Sequence, residues 1–335
     1  MKKLVNKVND IVEDMITGYV AAYGDIVDRL PGSSVIVRRT AKQSGKVGLV
    51  IGNGSGHEPI AMGWVGRGML DANAVGPVFT APPPALILQA LRSANCGAGV
   101  ILLISHHAGD LMNGEIAVDL AHAEGIRVEP LVMYDDIASA PRGREAERRG
   151  APGTMFIYKI LGARAEEGAQ LDELMVLGQR VRDATRTLAV ALAAGVSPVT
   201  GERIFELPDD EIFIGMGVHG EAGMGRCKMG AAADIVNVMA DAILADLPFA
   251  AGDEVLAFVN GSGGTTLMEL LIAYGALARI LDRRGIRTVR PLVGEYVTTQ
   301  ESQGMSISLC RSDTEMRRLW LAPAVVPFFA DRGRE

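Results

Sequence analysis

The stretch "VGLVIGNGSGHEP" runs from Val47 to Pro59. Its apolar start, Val47–Ile51, reads as a buried strand that runs straight into Gly52, Gly54, Ser55 and Gly56, and then His57-Glu58-Pro59. Glycines at the carboxyl end of a strand let a ligand approach the backbone closely. In parallel sheets, ligands bind outside those ends. A tight turn with a chance histidine is the plainer reading, but the order strand, glycines, histidine favours a functional loop.

Working outward, short apolar runs alternate with longer helical patterns. Strand patterns are Val35–Val37, Val47–Ile51, Gly99–Ile104, Arg127–Val132, Glu211–Met216, Val255–Val259, Thr288–Val293 and Ser306–Leu309. Helical patterns include Pro84–Ser93, Glu115–Ala123, Leu171–Ala194, Ala231–Leu244 and Thr265–Arg284. This alternation predicts an α/β protein of two α/β domains, each with a largely parallel or mixed sheet flanked by helices. The long pattern Leu171–Ala194 ends at Gly195, ahead of the loop-like "VSPVTGERIF". A boundary near 185–200 divides the chain into an N-terminal domain, 1–190, and a C-terminal domain, 191–335.

The 335 residues suit two domains, and 48% hydrophobic with 22% charged residues is a globular composition. A net charge of −7 and only 5% aromatics point away from nucleic acid and anionic lipid. The basic run Arg142–Arg149 is interleaved with Glu145 and Glu147 and reads as a solvated surface. Three scattered cysteines, Cys96, Cys227 and Cys310, fit a reducing cytoplasm and no disulfide scaffold. In the N-terminal stretch, Leu4, Val5, Val8, Ile11, Val12, Met15 and Ile16 share one helical face, which predicts an amphipathic helix rather than a signal peptide. No run reaches the ~18 apolar residues of a membrane span.

Three further stretches carry chemistry. "ISHHAGDLMNG", Ile104–Gly114, follows a greasy run. Successive side chains of an extended segment face opposite ways, so His106 and His107 do not chelate one metal together. Asp110 is either a general base or the N-cap of a helix starting near Asn113. "EIFIGMGVHGEAGMG", Glu211–Gly225, matches G-x-G-x-x-G at Gly215, Gly217 and Gly220, but a dinucleotide fingerprint needs a helix to open there and more glycines follow. Its telling feature is His219. "VLAFVNGSGGTTLMEL", Val255–Leu270, is a strand, a glycine turn and a helix start, suited either to an anion or to a Thr cap. His57, Asp110 and His219 thus lie in three Gly-rich loops after strands. They form a proton-transfer set or, less in keeping with the missing Cys ligands and HExxH spacing, a zinc set.

Together these stretches resemble the K subunit, the substrate-binding component, of dihydroxyacetone kinases. The family's G-G-G-S-G-H-E-P is Gly52 to Pro59, its G-D-x-x-N is Gly109 to Asn113, and its G-x-G-x-H-G-E-P-G is Gly215 to Gly223 with Ala222 for Pro. Its V-N-G-x-G-G-T is Val259 to Thr265, and its L-V-G-N-Y-x-T-S resembles Leu292–Thr299. The resemblance implies a phosphotransferase acting on a short ketose, with the ketone held as a hemiaminal on His219. It implies that His57 and Asp110 bind the terminal hydroxyl and help remove its proton, and that the backbone of Gly54 and the neighbouring Ser55 contact substrate. It places ATP or ADP with Mg²⁺ on a separate L-type subunit acting in trans, with no cofactor or metal on this chain, which is expected to be a cytoplasmic homodimer.

The sequence departs from the family at Ser105-His106-His107, where K-N-Y is usual, and at Ala81, where Ser is usual. Serine cannot replace a lysine point charge. These pocket positions therefore point to substrate choice, dihydroxyacetone itself or a four-carbon ketose such as erythrulose. Two other functions fit the same residues: a ketose-sensing coactivator that binds a transcription regulator, and an isomerase using His107 and Asp110 as acid and base.

Overall fold

The computed structural model describes residues 2–40 and 44–331. In chain order the elements are α1 (Ile11–Tyr23), β1 (Val27–Arg29), β2 (Val35–Arg38), β3 (Gly48–Ser55), β4 (Ala72–Val78), α2 (Pro84–Ala94), β5 (Val100–Ser105), α3 (Ala108–Ala123), β6 (Val128–Met133), α4 (Thr154–Glu166), α5 (Leu171–Asp183) and β7 (Thr185–Ala193). There follow β8 (Glu211–Ile214), β9 (Gly225–Lys228), α6 (Ala232–Asp246), β10 (Glu254–Gly261), α7 (Leu267–Arg283), β11 (Arg287–Gly294), β12 (Gln303–Arg311), α8 (Thr314–Trp320), β13 (Ala324–Val326) and β14 (Phe329–Asp331).

These elements form two compact units, neither contiguous in sequence. The first comprises Lys2–Met133, Ile157–Arg180 and the chain from Arg318 onward; the second comprises Tyr134–Phe156 and Val181–Arg317. The single boundary expected at 190/191 is therefore not where the chain divides. The cause is Leu171–Ala194, which is not one helix. Helix α5 ends at Asp183, and Thr185–Ala193 is strand β7, paired antiparallel with β12. Its Leu and Ala content reads as helical, but pairing overrides so weak a preference.

In the first unit the sheet order is β1-β2-β4-β3-β5-β6. Strands β4, β3, β5 and β6 are parallel, while β1 and β2 join antiparallel at one edge. Helices α2 and α3 cover one face through Ile87, Leu91, Ala117 and Val118, packed against Val50, Ala74, Leu102 and Ile104. Strand β4, "ANAVGPV", carries no apolar run to announce it, yet it is buried at the centre of the sheet. The expected N-terminal apolar face is only partly used: Ile16 is buried, whereas Leu4, Val5 and Val8 are exposed.

In the second unit the order is β11-β10-β12-β7-β8-β9. Only β10 and β11 are parallel, so this sheet is mixed with a largely antiparallel character. Helices α6 and α7 bury Met239, Ile243 and Leu277 against Leu188, Val190, Val259 and Ile307. Strand alternation turns Ala189, Asn260 and Ser306, which are cross-strand neighbours, to the other face. Part of the basic run is internal rather than solvated. Arg148 is 1% exposed and grips Asp246 through two bonds of 2.8 and 2.6 Å. Among the described residues no helix is long and apolar enough to cross a membrane.

A charge cluster holds the β2–β4 edge of the first unit. Asp71, fully buried, accepts from Arg38 at 3.0 Å, from Lys46 at 2.7 Å and from the Leu49 backbone at 2.8 Å; Arg38 also binds Glu166. Removing one member of such a cluster leaves buried charge uncompensated. Asp71→Ala is expected to cost about 3–5 kcal/mol of stability, read from urea denaturation. A loss under about 1 kcal/mol, the range of exposed pairs, would show that the cluster is not structural.

Candidate functional site

The carboxyl ends of the parallel strands β4, β3 and β5 gather the residues singled out in the first unit. The glycine stretch is not a loop throughout. Strand β3 continues through Gly52 and Gly54 to Ser55, paired with β4 up to Ser55–Val78. Glycine is required where the β4–α2 turn closes over the strand. A Cβ on Gly54 would meet the Thr80 backbone nitrogen at 2.7 Å, and one on Gly52 would meet Pro82 at 2.9 Å. The turn itself comes at Gly56, with φ of 101°, whose N–H donates to the Glu58 carboxylate at 2.9 and 3.0 Å. Burial pushes the Glu58 pKa up, against these backbone hydrogen bonds.

His57 is buried at 8% exposure with its ring tilted against Phe79, the centroids 5.1 Å apart. The Ser55 hydroxyl is buried, with no hydrogen-bond partner among the described residues. Ala81 is half-buried beside the start of α3, where a Cβ on Gly109 would touch it at 3.3 Å.

Strand β5 ends at Ser105, and His106 still pairs through its N–H with the Met133 carbonyl. His107 occupies the N-cap position of α3, so Asp110 lies inside the first helical turn rather than capping a helix at Asn113. Asn113 acts as a tie between elements. Its amide donates to the Pro82 carbonyl at 2.9 Å and joins α3 to the β4–α2 turn. The His107 ring nitrogen Nδ1 lies 3.2 Å from the Ser105 hydroxyl and 3.9 Å from an Asp110 carboxylate oxygen. Ser105, His107 and Asp110 thus form one cluster. A carboxylate in the first turn of a helix is also favoured by the helix dipole.

His219 lies in the second unit, in the loop between antiparallel strands β8 and β9. No helix opens after Gly220, so the G-x-G-x-x-G match is not a dinucleotide site. The loop closes on itself. Gly217 N–H donates to the Glu221 carbonyl and Gly220 N–H to the Gly217 carbonyl, each at 3.0 Å. The Glu221 carboxylate takes the His219 backbone N–H at 2.8 Å and faces the ring Nδ1 at 3.1 Å. Burial alone would raise the Glu221 pKa, but the hydrogen bonds and charge of His219 outweigh it, and the value falls to about 2. An ionised carboxylate only accepts, so Nδ1 is the nitrogen that donates to Glu221, and in the neutral form of the ring the lone pair is on Nε2. Beneath the loop, Arg149 binds Asp136 at 2.8 Å and reaches the Gly215 carbonyl at 3.3 Å.

The glycine turn after β10 does not offer an anion cradle. Thr265 bonds both backbone groups of Gly304, and Thr266 caps α7 in a box closed by Glu269, whose carboxylate already sits at the helix N-terminus. Sequence reasoning passed over Glu221, Glu58 and Phe79. The spacing His219-x-Glu221 was the one available signal for the first.

Glu221 contributes stability above its ordinary value of 4.5, and that contribution is lost as pH falls from there toward 2. Glu221→Gln is therefore expected to be less stable than wild type at pH 7, with the gap closing as pH drops below 4.5. Urea midpoints for both proteins across this range check it, and a gap independent of pH would show that the carboxylate charge is not what holds the loop.

The Dak1 domain family matches residues 17–328. The dihydroxyacetone-binding subunit DhaK of a PTS-dependent dihydroxyacetone kinase from Listeria innocua is 43% identical over 315 residues, 94% of this chain and 95% of that one. A D-erythrulose kinase from Mycolicibacterium smegmatis is 38% identical over 98% of this chain, which spans 56% of that protein. Among solved structures, a dihydroxyacetone kinase operon co-activator, DhaQ, superposes with a TM-score of 0.90 at 32% identity, covering 95% of this chain and 98% of that one. With the family match spanning nearly the whole chain, this protein belongs to the Dak1 family.

Proposed function

We propose that the protein is the substrate-binding subunit of a kinase for dihydroxyacetone or a related short ketose. The observation that carries this reading is the Glu221–His219 hydrogen bond, which engages Nδ1 and turns Nε2 of the neutral ring into the nucleophilic nitrogen. A neutral imidazole in that tautomer is a nucleophile toward a ketone. Addition forms a bond from Nε2 to the carbonyl carbon and moves the carbonyl π pair to oxygen, which takes a proton. The ring's positive charge then faces the Glu221 carboxylate, which stabilises it until Nδ1 gives up one proton to water, matching the one the oxygen took from water, and a neutral hemiaminal remains. Such a tether supplies positioning that a tiny polar substrate cannot obtain from contact area alone.

The terminal hydroxyl is assigned to Asp110 and His57, Asp110 accepting its proton as the phosphoryl group arrives. His107, held near Asp110 and Ser105, together with His106 and Ala81, bears on which ketose is accepted. Gly54 and Ser55 offer backbone and hydroxyl hydrogen bonds. The phosphoryl donor, with ATP or ADP and Mg²⁺, belongs to an L-type partner acting in trans, and the chain itself pairs as a cytoplasmic homodimer. The turn before α7, filled by its own Thr and Glu side chains, supports leaving the nucleotide to a partner.

The similarity to the DhaQ co-activator and the absence of the usual lysine at Ser105 favour a second reading, a ketose sensor. Turnover separates the two. With an L-type partner and a phosphoryl donor, the kinase reading expects ketose phosphate, whereas the sensor reading expects none although ketose binds.

The chemistry is tested with dihydroxyacetone and erythrulose carrying 13C at the ketone carbon. Binding is expected to move the signal from the ketone to the sp3 region, and His219→Ala to abolish that shift. Asp110→Asn is expected to keep the adduct while lowering phosphoryl transfer on the order of 10²–10⁴-fold. An adduct that survives His219→Ala would defeat the assignment.

A further inference from the structure

Behind the His219 loop, and wholly within the second unit, lies a cavity of about 50 Å³. That is room for roughly three or four water-sized groups. Gly217 and Val218, the two residues leading into His219, form one wall. The floor is the sheet face turned away from α6 and α7, where Ala189 on β7 and Ser306 on β12 leave space that larger side chains would fill.

The polar groups around this cavity are unequally employed. The Asn260 amide is consumed by the β11 end: it donates to the Val297 carbonyl at 2.8 Å and accepts from the Tyr296 and Val297 N–H groups at 3.0 and 2.8 Å. Ser302 accepts from the Gly195 N–H at 2.9 Å. Ser306 is 3% exposed, and its hydroxyl has no hydrogen-bond partner among the described residues. Buried hydroxyls are ordinarily paired, and this one brings a donor and two lone pairs to a small, partly apolar chamber. A group that fits must be short and carry a hydroxyl on a carbon stem, and Gly217 and Val218 put the chamber next to the loop that bears His219.

We propose that this cavity is a subsite for the far hydroxymethyl arm of a four-carbon ketose, with the Ser306 hydroxyl bonding the terminal hydroxyl of the arm that is not phosphorylated. The inference rests on the reading of His219 as the ketone tether and names the substrate class for it. Dihydroxyacetone, one carbon shorter, leaves this subsite unfilled; erythrulose fills it. Relatives in the family are named for both sizes of substrate, and a position that reads size within the shared fold would separate them.

The test compares wild type, Ser306→Ala and Ser306→Val in the full chain, with affinities for dihydroxyacetone and L- and D-erythrulose from calorimetry and the 13C adduct signal recorded for each. Ser306→Ala is expected to lower the ratio of erythrulose to dihydroxyacetone affinity about tenfold, the weight of one lost hydrogen bond in a closed site. Ser306→Val, which both removes the hydroxyl and fills the chamber, is expected to lower that ratio further. A dihydroxyacetone adduct in each variant shows that the protein is folded and the tether intact. Equal losses for both ketoses, or an unchanged ratio in both variants, would overturn the subsite while leaving the tether standing. Absence of any adduct in wild type would overturn the tether and the subsite with it.

Discussion

The hydrogen bond between Glu221 and the His219 ring is the constraint around which the second unit's loop is built. A side chain at Gly217 would collide with the Glu221 carboxylate at 2.3 Å and with Arg149 at 2.5 Å, and one at Gly223 would strike the Gly215 carbonyl. The glycines are therefore spaced for a carboxylate to fold back onto a histidine two residues away, not for a phosphate. Asp136 and Arg149 supply the support beneath, the arginine bonding both the aspartate and the Gly215 carbonyl. Burial raises the Asp136 pKa, and Arg149 works against that rise. The result is an imidazole held with its Nδ1 toward a carboxylate.

The first unit solves a different problem with similar materials. Four parallel strands bring their carboxyl ends to one edge, and glycines at 52 and 54 let the β4–α2 turn lie directly on β3. Asn113 then fastens α3 to the same turn, which places the first helical turn, with Asp110, beside the ends of the strands. Ala81 and Ser105 to His107, the positions that the sequence reading links to substrate choice, lie on this edge around Asp110. Variation at the rim of an unchanged scaffold is how one fold serves several related substrates.

Much of the architecture could be read in advance where hydrophobic pattern and structure share a cause. Strands β3, β5 and β10 carry apolar runs because both their faces are largely buried. Strand β4 could not be read this way, since Ala, Gly and Pro carry little strand preference and its place between β2 and β3 comes from neighbours far along the chain. Strand β7 was hidden for the opposite reason. Leu and Ala favour a helix locally, and only pairing with β12, more than a hundred residues later, makes the segment a strand. Among the candidate groups, the histidines and Asp110 could be singled out by chemistry and position along the chain, whereas the contact of Glu221 with His219 exists only in the folded loop.

What the sequence alone determined was the class of fold and, in outline, a chain of two α/β units, because these follow from composition and periodicity along the chain; it also marked candidate residues by their chemical type. The tertiary structure decided which segments belong to which unit, since strand pairing and burial act between residues distant in sequence. It also decided that the His219 ring faces the Glu221 carboxylate, because which groups lie within hydrogen-bond distance is a property of the folded chain.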